Sequence, residues 1–176
     1  MHSTPIQDLR PAPATPTAAE MRHVLRRFVT GVTVVTAFDD DHRLVGATAN
    51  SFTSVSLAPP LVLVCLGLES RTYGRCVARG SYAINILASD QAEIAWGFAA
   101  RGGDRTGLTD WRVSENGYPV LERSHAALEC QLVREVPAGD HAILIGRVEA
   151  FGLQAGNDLQ EPLVFYGGKM FPLLQP

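Results

Sequence analysis

The sequence predicts a mainly β fold, a small closed or partly open antiparallel barrel flanked by a few short helices. The chain has 176 residues, of which 46% are hydrophobic and 19% charged, as in a single globular domain with one core. Six or seven segments rich in β-branched and apolar residues follow one another, mostly without a helix between them. That order disfavours a doubly wound α/β fold, and closure into a barrel would remove vulnerable sheet edges.

The predicted strands are short runs bounded by glycine, proline or polar turns. The residues over 137–140 form a hairpin signal between two of them, and the apolar run over 61–66 predicts a strand buried on both faces. Residues 101–117 are glycine-rich and polar, which predicts a loop. The predicted strands cover residues 32–38, 43–56, 61–66, 82–87, 127–136, 142–151 and 162–166.

Three short helices are predicted from capping signals and apolar spacing. Thr17 and Glu20 have the spacing of a capping box, and apolar residues then recur at helical intervals. A second helix is predicted over 70–79 with a serine as its N-cap, and Asp90 and Glu93 form a further capping-box pair that opens the third. The apolar face of the first helix consists of Met21, Val24, Leu25 and Phe28.

The chain divides into a tail and one domain. Residues 1–16 contain four prolines among small and polar residues, which predicts a disordered tail that could lie on a partner subunit. Residues 17–176 are predicted to form the folded domain. No apolar stretch approaches the roughly 18–20 residues of a membrane span, and a secretory signal pattern is absent. We therefore expect a cytoplasmic protein without a membrane partner.

The composition disfavours several classes of function. The net charge is −3 and basic residues are scattered, which disfavours a nucleic-acid partner. Three cysteines without a C-x-x-C pair and five histidines without metal-ligand spacing predict neither a disulfide framework nor a metal site. The motifs G-x-G-x-x-G, G-x-x-x-x-G-K-[ST], H-E-x-x-H and G-x-S-x-G are all missing, which disfavours Rossmann and P-loop nucleotide sites, metalloproteases and α/β-hydrolases.

The segment over 46–56 is extended yet rich in small hydroxyl and amide residues. Thr48, Asn50 and Ser51 offer hydrogen-bonding groups with little bulk, and the alanines beside them would let a flat ring come close. This composition suits a polar-edged tricyclic ring such as an isoalloxazine. A solvated edge strand has the same composition and remains the alternative. The proline pair and buried strand that follow tie the segment to the core and favour a site.

Two further positions are candidates for ligand contact. Ser70, Arg71 and Thr72 stand at a predicted helix N-terminus, where unpaired N–H groups and the positive end of the dipole suit a phosphate. Simple N-capping by Ser70 is the alternative. His141 lies beside the predicted hairpin turn, where it could meet a nicotinamide or a flavin edge. An exposed turn residue without a role is the alternative there.

Several segments together resemble the flavin reductase family, the small reductase components of two-component flavin monooxygenases. The most specific match is the A-T-A-N-S-F-T-S-V-S-L-x-P-P-L-V core within residues 46–66. The resemblance covers roughly residues 20–173. The other matching segments, in family order and spacing, are F-V-T-G-V-T-V-V-T over 28–36, S-R-T over 70–72, Y-A-I-N-I-L over 82–87, G-D-H over 139–141 and F-Y-G-G-K over 165–169.

The resemblance implies a six-stranded antiparallel Greek-key split β-barrel that binds a flavin, usually as a homodimer. It implies a phosphate contact at Ser70 and Thr72, to which Arg71 adds a cation. It also implies that His141 lies on the nicotinamide side and that Tyr166 lies near the open face. The remaining flavin contacts that it implies are Thr48, Ala49, Asn50, Ser51, Ser54, Val55, Ser56, Cys65 and Leu66.

The function implied is an NAD(P)H:flavin oxidoreductase that reduces FMN or FAD and supplies reduced flavin to a separate oxygenase. Hydride transfer depends on stacking, so we predict no nucleophile and no essential general acid, and we predict that His141 orients the nicotinamide. NADH is favoured over NADPH because no arginine cluster awaits a 2′-phosphate. Two alternatives are an oxidase of the pyridoxamine-phosphate-oxidase-like barrel group and a non-catalytic flavin-binding module.

Overall fold

A computed structural model of the chain describes residues 16–100, 102, 107–153 and 161–173. The predicted tail therefore lies almost entirely outside the described residues. The helices are α1 (Ala18–Leu25), α2 (Arg71–Arg79) and α3 (Ala92–Ala99), the last preceded by a short 3₁₀ turn (Ser89–Gln91). The strands are β1 (Thr30–Gly31), β2 (Thr33–Phe38), β3 (Leu44–Ala49), β4 (Thr53–Leu57), β5 (Pro60–Gly67), β6 (Ser81–Ile86), β7 (Trp111–Val113), β8 (Pro119–Leu121), β9 (Ala126–Ala138), β10 (His141–Leu153), β11 (Leu163–Tyr166) and β12 (Lys169–Pro172).

The described strands form three antiparallel sheets, which confirms the predicted mainly β fold. The main sheet has seven strands in the order β3-β2-β6-β9-β10-β5-β4. A second sheet has the order β1-β11-β12, and β7 pairs with β8 in a third. The main sheet thus has one strand more than the predicted six. Among the described residues, its backbone pairing leaves β3 and β4 as edges, so no closed barrel is formed by these hydrogen bonds.

The predicted extended segment over 43–56 divides into β3 and β4, because the chain leaves the ladder between Ala49 and Thr53. Ser51 stabilises this connection. Its Oγ accepts a hydrogen bond from the Cys65 N–H at 2.9 Å and donates one to the Cys65 carbonyl at 3.1 Å. These bonds tie the end of β3 to β5, so the sheet curls and side chains from β2, β3, β5, β6 and β10 pack in one core.

A second core lies on the other face of the main sheet, where α3, β8 and β11 cover it. Neighbouring residues of β2 show the division, since Val35 belongs to the first core and Val34 to the second. Within the main sheet, the strands buried on both faces are therefore β2 and β6. The prediction of a doubly buried strand over 61–66 is wrong, because β5 alternates between buried and half-buried residues.

The hairpin of β9 and β10 is the longest feature of the fold, with 13 residues in each strand. It confirms the predicted hairpin, but the strands pair as far as Ala138 and His141. The turn is therefore only two residues long, and Gly139 takes a left-handed φ of 65° there. The pairing of β10 with β5 sets His141 opposite Gly67.

Three local predictions are corrected by the structure. The capping bond before α3 comes from Gln91, whose side chain accepts from the Ala88 N–H at 2.9 Å, and not from the predicted Asp90–Glu93 pair. The predicted loop over 101–117 contains β7, which pairs with β8. Beyond the predicted last strand, the chain turns at two glycines with positive φ and returns as β12. Both strands are short, and their pairing with β8 and β11 is seen only in the folded chain.

The capping box at the start of α1 is confirmed, since the Thr17 side chain accepts from the Glu20 N–H and the Glu20 side chain accepts from the Thr17 N–H. The predicted apolar face of this helix is not buried against the described part of the chain. No residue of α1 is buried, and Val24 and Phe28 are 66% and 73% exposed. Local capping fixes the helix, but its apolar face has no cover within these residues.

Candidate active site

A groove of about 1020 Å³ opens where β3, β5, the start of α2, the end of α3 and the β9–β10 turn meet. This volume is at the upper end of small-molecule sites, so the groove has room for one large ligand or for two ligands in contact. A separate cavity of about 340 Å³ beside Phe38, His42 and Tyr118 contains none of the predicted site residues. The residues lining the groove are Ala47, Thr48, Cys65, Leu66, Gly67, Leu68, Glu69, Ser70, Arg71, Thr72, Phe98, Ala99, Ala100, Gly102, Asp140 and His141.

Small residues keep one part of the groove open. Ala47 and Thr48 of β3 line the groove together with Ala99 and Ala100 at the end of α3. The Thr48 Oγ1 donates a 2.6 Å hydrogen bond to the Ala95 carbonyl, which holds α3 against β3. Phe98 packs closely over Gly46, where an added Cβ would lie 2.7 Å from the Phe98 Cε1. The walls thus combine low bulk with fixed positions, which suits a flat ring.

The N-terminus of α2 forms the polar end of the groove. Ser70 is the N-cap, but its side chain makes no capping hydrogen bond, and Thr72 is buried. The Arg71 Nη2 lies 2.7 Å from the Asp39 Oδ2, while the Arg71 side chain remains 58% exposed. Two hydroxyls, a guanidinium and unpaired helical N–H groups fit a phosphate. Glu69 also lines this end and adds a negative charge.

A second polar part of the groove is formed by His141, at the β9–β10 turn. Its Nδ1 lies 2.7 Å from the Asp140 Oδ1. This hydrogen bond is the largest cause that holds the pKa of Asp140 below its usual value. Because a carboxylate can only accept, the Nδ1 carries the proton, and in the neutral ring the Nε2 is an acceptor. The ring stands beside Gly67, where an added Cβ would lie 3.9 Å from the Nε2.

The family model for a flavin reductase like domain matches residues 25–174 of the chain. The chain belongs to the flavin reductase family. It is 42% identical over 156 residues to an NADH-dependent flavin reductase of a Rhodococcus species, covering 86% of this chain and 84% of that protein. It is 43% identical over 139 residues to the stachydrine N-demethylase reductase subunit of Rhizobium meliloti, covering 79% of this chain and 60% of that protein.

A solved relative has the same fold as this family member. The NADH:FAD oxidoreductase of Streptomyces globisporus C-1027, solved in complex with NAD and FAD fragments, superposes with a TM-score of 0.81 at 36% identity. The match covers 89% of this chain and 92% of that one. The chain spans less of some curated relatives, including 45% of a Rhizobium meliloti protein that is 47% identical over 139 residues.

The structure gathers about half of the predicted site residues of this flavin reductase family member in the groove and distributes the others elsewhere. Ala49 is buried in the first core, and the Ser51 Oγ is bonded to the Cys65 backbone. Asn50 is exposed, and Tyr166 lies on β11, 40% exposed. The edge strand β4 carries Ser54, Val55 and Ser56. The predicted residues that line the groove are Thr48, Cys65, Leu66, Ser70, Arg71, Thr72 and His141.

Several groove residues were missed by the sequence analysis. Phe98 and Ala99 close α3 and Ala100 follows it, and the local sequence gives no sign that this end of the helix reaches β3. Gly67 follows two predicted residues without having been predicted itself, and the bond of Asp140 to His141 was not predicted. Asp39, which binds Arg71, stands in a predicted polar turn, and nothing in the sequence indicates that this turn meets α2.

The described ranges contain no group of three or more His, Cys, Asp or Glu side chains placed to hold a metal ion. Burial raises the pKa of both Cys76 and Cys130 to about 12, so these thiols are protonated and unreactive near neutral pH. None of the described helices has the length and apolarity needed to cross a membrane.

Proposed function

We propose that this chain transfers hydride from NADH to FMN or FAD and supplies the reduced flavin to a separate flavin-dependent oxygenase. The observation that carries the proposal is the groove itself, a site of about 1020 Å³ with small residues along β3 and a phosphate-compatible helix end, in a member of the flavin reductase family. The names of relatives support the donor and the partner, since one is an NADH-dependent flavin reductase and another a demethylase reductase subunit.

The residues of the groove would bind and orient the ligands. The flavin, when bound, supplies a ring that accepts hydride from the dihydronicotinamide. Thr48, Cys65 and Leu66 would contact the ring, and Ser70, Arg71 and Thr72 would hold the phosphate. The other flavin contacts that the resemblance implies lie outside the described groove, and we keep them as predictions: Ala49, Asn50, Ser51, Ser54, Val55, Ser56 and Tyr166.

His141 is the residue that we propose to orient the nicotinamide. Its ring is fixed through the Nδ1 by Asp140, which leaves the Nε2 to accept a hydrogen bond such as one from a carboxamide N–H. The residue acts by orientation, because hydride transfer requires contact and the correct face and not a proton donor.

We further propose that the curled sheet is a split β-barrel, that residues 17–176 form one flavin-binding domain, and that two copies form a homodimer. The barrel is supported by the Ser51 bridge between the β3–β4 connection and β5. The dimer is supported by the uncovered apolar face of α1. Location in the cytoplasm is supported by the three free cysteines, which suit a reducing compartment.

The activity is tested by following NADH absorbance with purified protein and added FMN, FAD or riboflavin. We expect NADH consumption that requires both protein and flavin and that is slower with NADPH. Anaerobic stopped-flow mixing of the flavin-loaded protein with NADH should bleach the flavin band. If neither nucleotide bleaches bound flavin, the chain is a binding module or an oxidase, and the proposal fails.

The role of His141 is tested with His141→Ala, and His125→Ala serves as the control because His125 lies outside the groove. Loss of one hydrogen bond of about 0.5–1.5 kcal/mol should raise the KM for NADH roughly 2- to 10-fold. Flavin affinity should stay near that of the wild type. Unchanged KM and hydride-transfer rate in His141→Ala would remove the residue from the proposal.

A further inference from the structure

Three arginines on one face of α2 bind the turn between β2 and β3. They stand at positions 71, 75 and 79, so each is one helical turn from the next. The Arg71 Nη2 donates to the Asp39 Oδ2 at 2.7 Å, and the Arg75 Nη1 donates to the Asp40 Oδ1 at 2.5 Å. The Arg79 Nη2 donates to the Asp39 main-chain carbonyl at 2.5 Å. The turn therefore holds α2 along its whole length.

Asp39 is the centre of this contact. Its side chain is only 2% exposed. The Oδ1 accepts from the backbone N–H groups of Asp41 and Arg43, both at 2.9 Å, and the Oδ2 accepts from the Arg43 Nε at 3.2 Å as well as from Arg71. The Arg43 N–H is the largest cause that holds the pKa of Asp39 below its usual value. Asp39 is thus a charged carboxylate in a fixed position.

Arg71 connects this fixed carboxylate to the groove. Its side chain is 58% exposed and lines the phosphate-compatible end. A guanidinium carries five N–H donors, so the bond to Asp39 restricts the side chain without using all of them. The carboxylate of Asp39 is shared between Arg71 and Arg43, and Arg43 also binds the Asp41 Oδ2 at 2.7 Å. An arginine that is ordered before binding loses less freedom when it meets an anion.

We propose that Asp39 is a positioning residue that, through Arg71, sets the affinity of the groove for the phosphate of a flavin nucleotide. This inference rests on the proposed function. It concerns only the phosphate end, because the described contacts of Asp39 lie in the β2–β3 turn and on α2. It predicts that Asp39 discriminates FMN from riboflavin, which has the same ring and ribityl chain but no phosphate.

The test measures dissociation constants for FMN and riboflavin, by quenching of flavin fluorescence, in four proteins. These are the wild type, Asp39→Asn, Arg71→Ala and the double variant. Charged hydrogen bonds are strong, so we expect Arg71→Ala to weaken FMN binding about tenfold or more and to leave riboflavin binding unchanged. The preference for FMN is the dissociation constant for riboflavin divided by that for FMN. Asp39→Asn should lower this ratio by about threefold or more. The double variant should bind FMN no more weakly than Arg71→Ala, because both changes act on one contact.

Asp41→Asn is the matched control. Asp41 lies in the same turn and binds Arg43 at 2.7 Å through an exposed pair, and its described bonds do not reach α2. Asp41→Asn removes one negative charge from the turn, as Asp39→Asn does, and should leave the preference for FMN unchanged. If Asp39→Asn does not fold, as judged by circular dichroism, Arg71→Lys replaces it. Lysine keeps the charge but lacks the planar fork, so positioning predicts a loss of FMN affinity in that variant too.

The outcomes separate the two proposals. Unchanged or tighter FMN binding in Asp39→Asn overturns the inference, and so does an equal loss for FMN and riboflavin or an additive double variant. A wild-type protein that binds both flavins equally also overturns it, since the phosphate is then not recognised. A wild-type protein that binds neither flavin overturns the proposed function itself.

Discussion

At the scale of single residues, the hydroxyl groups predicted to face a ligand serve the backbone first. The Ser51 Oγ bridges both polar groups of Cys65, and the Thr48 Oγ1 donates to the Ala95 carbonyl. The run of small hydroxyl residues sets this segment apart from an ordinary core strand, which would carry Val, Ile and Leu. Part of its physical reason is that the curled sheet needs side chains to satisfy backbone groups where strand pairing stops.

Replacement of Ser51 by alanine should destabilise the fold. The change leaves the N–H and carbonyl of half-buried Cys65 without the partner that now bonds to both, which should lower the free energy of unfolding by about 1–3 kcal/mol. Urea denaturation followed by circular dichroism measures this. Ser54→Ala on the exposed edge strand should stay within about 0.5 kcal/mol of the wild type. Equal stability of both variants would contradict a structural role for Ser51.

The depressed pKa of Asp39 predicts how its contribution to stability depends on pH. Because the folded-state pKa lies below the unfolded value of about 3.9, the contribution is full above that value and is lost as the pH falls through the folded pKa. The difference in unfolding free energy between the wild type and Asp39→Asn should be constant from pH 7 to about pH 5 and shrink below pH 4.

Urea denaturation of both proteins between pH 2 and 7 checks the pH dependence of Asp39. Asp41→Asn controls for the loss of one charge from the same turn. If the difference in unfolding free energy between the wild type and Asp39→Asn grows as the pH falls, the predicted pH dependence is wrong.

At the scale of elements, local signals fixed where helices begin but not what they pack against. The capping box of α1 was readable from two residues, yet no described part of the chain buries the apolar face that follows it. For α2, the serine N-cap was readable, but its three arginines gain their role only from the acidic turn at the end of β2. Partners distant in sequence decide the use of each helix face.

Phe28→Glu tests whether the apolar face of α1 is a dimer interface. We expect the wild type to sediment at twice the 19.0 kDa mass of the chain and the variant to shift toward one chain, since burying a charge at an interface is unfavourable. Analytical ultracentrifugation measures the mass. Val113→Glu, at a position 55% exposed on β7, is the control and should stay dimeric. A monomeric wild type, or a dimer unaffected by Phe28→Glu, would contradict this interface.

At the scale of the whole molecule, the curl of the main sheet brings distant strands into contact across the first core. Tyr82 of β6 is fully buried, and its hydroxyl lacks a hydrogen-bond partner among the described residues. A Cβ added to Gly146 of β10 would collide with this hydroxyl and would lie 2.9 Å from the Cys130 Cβ. Glycine at 146 therefore admits the tyrosine ring, and burial raises the pKa of the Tyr82 hydroxyl.

This packing predicts that Gly146→Ala costs about 1–3 kcal/mol of stability, as overpacked cores do. Tyr82→Phe removes the unsatisfied hydroxyl, so it should be neutral or stabilising by about 1 kcal/mol and should reduce the cost of Gly146→Ala. Gly152→Ala on the same strand has open space around its Cβ and should be tolerated. Urea denaturation of the single and double variants measures the coupling. If the changes in unfolding free energy of the two single variants simply add in the double variant, the Tyr82 hydroxyl is not the reason for glycine at 146.

The sequence by itself determined the β-rich class, the capping box of α1, the start of α2 after Ser70, the hairpin turn before His141 and the resemblance to the flavin reductase family. These follow from local spacing and from residues adjacent in the chain. Only the tertiary structure decided that β2 and β6 and not β5 are buried on both faces, that the end of α3 lines the groove, and that Asp39 holds Arg71. Each of these depends on which distant segments the curled sheet brings together, and no local pattern encodes that contact.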